Sequence, residues 1–164
     1  MSKDNIFDKF YTNDDIADCC FAHVVNMTGY DGLSPLIEPS AGGRAFIRAF
    51  RKHGFDKIDA YDIAPESDGI LKQDFLKLIR GYDGSFCVGN PPFGHRSKLA
   101  IEFFNKCAKF SDAVVFVIPV TFDEVVSHAS SVFQCRVSSV DSVNGTKKTS
   151  TNLDSTAEKC YHLT

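Results

Sequence analysis

Residues 85–94 read SFCVGNPPFG, and this stretch decides the fold. Its first five residues are short, uncharged and mostly apolar, the composition of a strand buried on both faces of a sheet. It runs into Asn90-Pro91-Pro92-Phe93, where two prolines remove the amide donors that a strand ladder needs. By average residue frequencies, Asn-Pro-Pro followed by an aromatic arises by chance on the order of once per thousand chains of this length. Downstream, residues 98–110 put Leu99, Phe103, Cys107 and Phe110 on one helical stripe. Residues 113–119 (AVVFVIP) then form a second fully buried strand, so strand, loop, helix and strand make one βαβ unit.

The same alternation extends upstream. Residues 13–28 carry Ile16, Cys20, Val24 and Met27 at helical spacing behind an Asn/Asp start that caps the first turn. Gly29 and Gly32 bracket a turn, and Leu36-Ile37 begins a strand that ends in Glu38-Pro39-Ser40-Ala41-Gly42-Gly43. A helix over 45–53 follows, closed by Gly54. Residues 57–63 (KIDAYDI) alternate as a strand ending at Asp62, and 70–79 read as a brief strand to Lys72 followed by a helical turn or two. The pattern predicts an α/β fold, a mostly parallel central sheet with helices on both faces. Ligands of such sheets bind beyond the carboxyl ends of the strands, where residues 38–43, Asp62 and residues 90–93 all fall.

Composition narrows the class. The 164 residues, 43% hydrophobic and 24% charged, suit one folded domain of ordinary size. The longest apolar run, 113–120, is far short of the ~20 residues needed to cross a bilayer. The first ten residues, MSKDNIFDKF, lack the apolar core of a signal peptide, so a cytoplasmic location with no membrane association is expected. The six cysteines are then expected as free thiols. No CxxC pair occurs and the only loose cluster is Cys135, Cys160 and His162, so no metal is expected. A net charge of −3 means that any contact with nucleic acid must be local. From Ser138 the chain turns Ser/Thr-rich, which divides it into a domain over 1–137 and a weakly packed or flexible tail over 138–164.

Gly42 and Gly43 lie between a strand and a helix, where their amides can approach an anion without a Cβ in the way. Asp62, at the end of the next strand, is placed to accept ribose hydroxyls. Arg44, Arg48 and Arg51 recur at i, i+4 and i+7, a stripe read as a solvated helix face within reach of phosphates.

LIEPSAGGRAF, YDIAP, KQDFL and FCVGNPPFG, in that order, resemble the successive motifs of class I S-adenosylmethionine-dependent methyltransferases that act on the N6 amine of adenine. The upstream DKFYTNDDIA resembles the segment that covers the methionine part of the cofactor in these enzymes, and the likeness spans roughly residues 8–120. It implies a Rossmann-like class I methyltransferase fold and S-adenosylmethionine as cofactor. Tyr11 and Thr12 would border the methionine moiety. Glu38 with Ser40, Ala41, Gly42 and Gly43 would hold its amino-acid end, Asp62 with Ile63 the ribose side, and Asp74 with Phe75 its adenine.

The catalytic corner would be Asn90, Pro91, Pro92 and Phe93. An adenine amine is a poor nucleophile because its lone pair is delocalised into the ring. Two acceptors, the Asn90 side-chain carbonyl and the Pro91 backbone carbonyl, would grip its N–H bonds and favour a pyramidal nitrogen. A base must leave the duplex to reach this corner, and Phe93 would stack on it. His95, Arg96 and Lys98 stand beside the loop as candidate substrate contacts. The expected partner is nucleic acid, DNA favoured over RNA.

Two departures from the family pattern keep other functions in view. Arg44 stands where a second glycine is usual, which suits a non-catalytic subunit that binds nucleic acid or a partner. Only about 45 residues follow Pro119, too few for a target-recognition region, so base selectivity would come from short loops or a separate specificity subunit. A protein glutamine amide, also a planar delocalised amine, is the further alternative substrate.

Overall fold

The computed structural model describes residues 11–118 and the backbone of 132–138, 142–143, 146–147 and 157–163. Helix α1 (Asp14–Thr28) opens on Asn13, whose side chain accepts from the Asp15 amide. It ends at Gly29, whose positive φ lets the amide turn back to the Val25 carbonyl. Strand β1 (Leu36–Glu38), helix α2 (Ala45–Lys52), strand β2 (Ile58–Asp62) and the two-residue β3 (Leu71–Lys72) follow. A 3-10 turn at Phe75–Lys77, strand β4 (Ser85–Gly89), helix α3 (Lys98–Cys107) and strand β5 (Ser111–Ile118) complete the parallel part. Beyond it lie β6 (Val132–Ser138), β7 (Ser142–Val143), β8 (Thr146–Lys147) and β9 (Ala157–Leu163).

The main sheet runs β3-β2-β1-β4-β5-β9-β6, parallel from β3 to β5, with β9 antiparallel to both its neighbours. Side-chain alternation assigns the two faces. Leu36, Val88, Val115 and Val117 pack with Ala17, Phe21 and Val24 of α1 and with Phe46 and Phe50 of α2. Their neighbours Ile37, Cys87, Val114, Phe116 and Ile118 point the other way, onto Ala100, Phe103 and Cys107 of α3 and onto Phe75. Strands β1, β4 and β5 and the three helices are thereby packed into two apolar layers, one on each face of the sheet.

Two boundaries move by more than one residue from the sequence expectation. The helix expected over 98–110 ends at Cys107, because Lys109 and Phe110 bond back to Lys106 and Cys107 in a tight turn. Phe110 still reaches the core, packed near Phe75 and Tyr82, so the stripe was legible although the helix end was not. Strand β5 then starts at Ser111, whose hydroxyl bonds Ser85 of β4.

Within the span 138–164, expected as a weakly packed or flexible tail, Ala157–Leu163 forms β9, which lies between β5 and β6. Phe116, Val117 and Ile118 of β5 face Tyr161, Cys160 and Lys159. A buried apolar strand such as β5 needs a partner for its outer amides, and β9 is that partner. A chain cut after Ser138 is therefore expected to lose cooperative unfolding and to aggregate, as thermal melts and size-exclusion chromatography would show. A monomer melting within a few degrees of the full chain would refute the role of β9.

No helix among the described residues is long and apolar enough to cross a membrane. Among the described residues, Cys19, Cys20, Cys87 and Cys107 form no disulfide. The side chains of Cys135, Cys160 and His162 lie outside the described residues.

Candidate functional site

Strand order reverses between β1 and β4, since β1 connects outward to β2 while β4 continues outward to β5. The loops leaving these two strands diverge, which opens a crevice at their carboxyl ends. There lies a cavity of about 100 Å³, lined by Glu38, Ser40, Ala41, Gly42 and Gly43 together with Asn90, Tyr11 and Thr12. The motif residues that sequence separates by up to eighty positions thus share one wall.

Glu38 ends β1 and is 1% exposed. Its Oε2 is buried without a hydrogen-bond partner among the described residues. Burial, reinforced by the nearby Asp62 carboxylate, pushes its carboxyl well above the ordinary range, while Arg48, the Ile47 amide and Arg44 pull the other way. A buried carboxyl oxygen left unpaired in a cavity wall costs stability, so its presence points to a ligand.

The glycine turn is built by the protein's own acceptors. The Ala41 amide donates to the Tyr61 carbonyl, and the Gly42 amide donates to Asp62 Oδ2 at 2.9 Å. Asp62 Oδ1 takes the Ala64 amide, and the carboxylate is buried. The Gly42 amide, expected to face a ligand, therefore faces Asp62. What the turn offers a ligand is space: at Gly42, φ is +44° and a Cβ would meet nothing within 4 Å. Gly43 has no such slack, since a Cβ would stand 3.0 Å from the Tyr11 ring.

Asn90 follows β4 and is half-buried. Its Nδ2 donates to Thr12 Oγ1 at 3.1 Å, and its backbone carbonyl accepts from Ser40 Oγ at 3.2 Å. The amide plane is thereby fixed with Oδ1 as the acceptor end, shielded from solvent. Pro91 is buried and Pro92 half-buried. Phe93 is half-buried against the α3 layer, and its carbonyl holds the Leu99 and Ala100 amides at the start of α3.

The other expected residues stand outside the cavity wall. Ile63 is 49% exposed beside Asp62, an apolar surface at the crevice edge. Asp74 caps the 3-10 turn through the Leu76 amide and pairs with Lys77. Phe75 is 1% exposed, stacked on Phe103 in the core. His95 and Lys98 are exposed at the base of the Asn90 loop, and Arg96 lies in the same short turn.

Three wall residues were not singled out from sequence for the site: Ala45, Phe46 and Arg48. Arg48 is exposed, as expected for a helix-face residue, but it also has fixed partners. Helical side chains lean toward the helix N-terminus, so it reaches back one turn to the Gly43 carbonyl at 2.6 Å and to Asp14 of α1. That lean is the sequence signal that would have found it. Arg44, half-buried at φ +67°, starts α2 and is not part of the wall; Arg51 is exposed.

No protein-family model and no curated protein matches the chain. Solved structures do. A Thermoplasma acidophilum protein aligns over 98% of this chain and 90% of its own at 17% identity, with a TM-score of 0.65. A putative class I S-adenosylmethionine-dependent methyltransferase from Listeria monocytogenes aligns over 96% of this chain and 61% of its own at 12% identity, with a TM-score of 0.55. A tRNA methyltransferase from Aquifex aeolicus aligns over 97% and 70% at 9% identity, with a TM-score of 0.50. At such identities the likeness is one of fold: the chain has the Rossmann-like fold of class I methyltransferases.

Proposed function

We propose that the chain transfers the methyl group of S-adenosylmethionine to the N6 amine of adenine in nucleic acid, with DNA favoured over RNA. The observation that carries the reading is the Asn90-Pro91-Pro92-Phe93 corner at the end of β4, whose Asn90 shares a cavity with Glu38 and the glycine turn. The cavity fits the cofactor's charged amino-acid end: a buried acceptor without a partner at Glu38 suits an ammonium, and the turn at Gly42 leaves room. At about 100 Å³ it is smaller than the ~300–1,000 Å³ typical of a whole small-molecule site, so Asp62 and the exposed Ile63, outside the cavity, would hold the nucleoside end.

The bound cofactor supplies an electrophilic methyl group. Asn90 Oδ1 and the Pro91 carbonyl accept the two N–H bonds of the target amine and direct its lone pair at that carbon. Acceptors already fixed and kept from water stabilise the positive charge that develops there, with no reorganisation at the moment of transfer. Thr12 and Ser40 hold Asn90 in place. Phe93 offers a ring face to an everted base, worth about 1–3 kcal/mol of stacking. His95, Arg96 and Lys98 meet the phosphates beside it. A separate specificity subunit supplies sequence selectivity.

The test is labelled-methyl transfer to DNA, RNA and protein pools. Label entering DNA as N6-methyladenine is the expected result. Transfer confined to protein amide nitrogen would assign the glutamine chemistry instead, and absence of cofactor binding in calorimetry would leave a non-catalytic binding subunit.

A further inference from the structure

The cavity wall carries one anionic and one cationic side chain, Glu38 and Arg48. Both line the same cavity, yet Glu38 Oε2 has no hydrogen-bond partner among the described residues. An acidic and a basic side chain lining one small cavity are the complement of a zwitterion, whose ammonium and carboxylate are separated by one carbon. We infer that Arg48 binds the α-carboxylate of the cofactor's amino-acid end while Glu38 takes its ammonium. The assignment rests on the cofactor reading above and adds to it a residue that the motifs do not include.

The guanidinium is preset for this task. Asp14 engages Nε and Nη2 from α1, and the Gly43 carbonyl takes one N–H of Nη1. These contacts fix the plane and leave further N–H groups on both terminal nitrogens for an incoming carboxylate. Asp14 also balances the charge before ligand arrives. An arginine suits the site because its planar fork matches a carboxylate, whereas lysine would offer a point charge.

The carboxylate can be isolated by comparing two ligands in calorimetry, S-adenosylhomocysteine and its decarboxylated analogue, which keeps the amine and the nucleoside. The intact chain is expected to prefer S-adenosylhomocysteine by about tenfold or more, the scale of a charge-assisted pair. Arg48→Ala should reduce that preference to within about threefold while affinity for the decarboxylated ligand stays level, since only the carboxylate partner is gone. Arg48→Lys should recover part of the preference, and serves if the alanine variant fails to fold. Equal affinity of the intact chain for the two ligands, or full preference in the Arg48 variants, overturns the assignment and leaves the cofactor reading standing. Binding of neither ligand by the intact chain overturns the cofactor reading itself.

Discussion

Asn90→Ala is expected to lower methyl transfer about 100- to 1,000-fold while cofactor affinity stays within a few-fold, because it deletes an acceptor that acts on the reacting nitrogen. The side chain is held at both ends of its residue: Thr12 fixes Nδ2, and Ser40 fixes the backbone carbonyl. Its removal leaves the corner intact, since Pro91 is buried and the Phe93 carbonyl anchors the start of α3 independently. Single-turnover transfer and calorimetry on the same preparation separate the two effects. Joint loss of transfer and cofactor binding would show that Asn90 builds the cavity rather than activates the amine. Unchanged transfer would remove it from the chemistry altogether.

Glu38→Gln is expected to move stability and binding in opposite directions. The glutamic acid is buried with Oε2 unpaired, and its carboxyl titrates well above the ordinary range because of burial first and the Asp62 charge second. In the unfolded chain it loses its proton near the usual value, so between the two the folded state holds the extra proton. Stability therefore falls as pH rises through that window, and above it the folded state bears the full penalty of a buried charge. Glutamine removes this slope, and the variant should melt higher than the parent at neutral and alkaline pH, with the gap closing toward acid. The same variant should bind S-adenosylhomocysteine at least about tenfold more weakly, since the ammonium loses its counter-charge. In the parent, the arriving ammonium favours ionised Glu38, so binding releases a proton and affinity climbs with pH across the window. Calorimetry in two buffers of different ionisation enthalpy measures that proton. A variant that melts lower at every pH, with binding intact, would make Glu38 a structural residue.

Stability given up at such a position is the common signature of a binding site, where a group is kept for what it does rather than for how well it packs. Glu38 is an instance inside an otherwise apolar strand, with Leu36 and Ile37 each committed to one layer of the core. The pair of buried tyrosine hydroxyls, Tyr61 with Tyr82, differs in kind: both atoms are satisfied by each other.

The fold was legible because its determinants are local. Strand β4 stops where two prolines withdraw amide donors, α1 starts where Asn13 can cap it, and the alternation along β1, β4 and β5 commits successive side chains to opposite layers. The Asn-Pro-Pro-Phe corner and the carboxylates at the ends of β1 and β2 follow from the same local signals. Three things were decided only by tertiary contacts. The Gly42 amide turned to Asp62, because a buried carboxylate twenty residues away had to be satisfied. The segment 157–163 joined the sheet, because β5 had an unpaired edge that no property of its own sequence announces. Arg48 became a wall of the cavity, because α1 presents Asp14 beside the turn that α2 leaves. Sequence fixes what each residue can do within a few positions of itself; which distant acceptor, edge or charge completes it is settled when separate elements pack together.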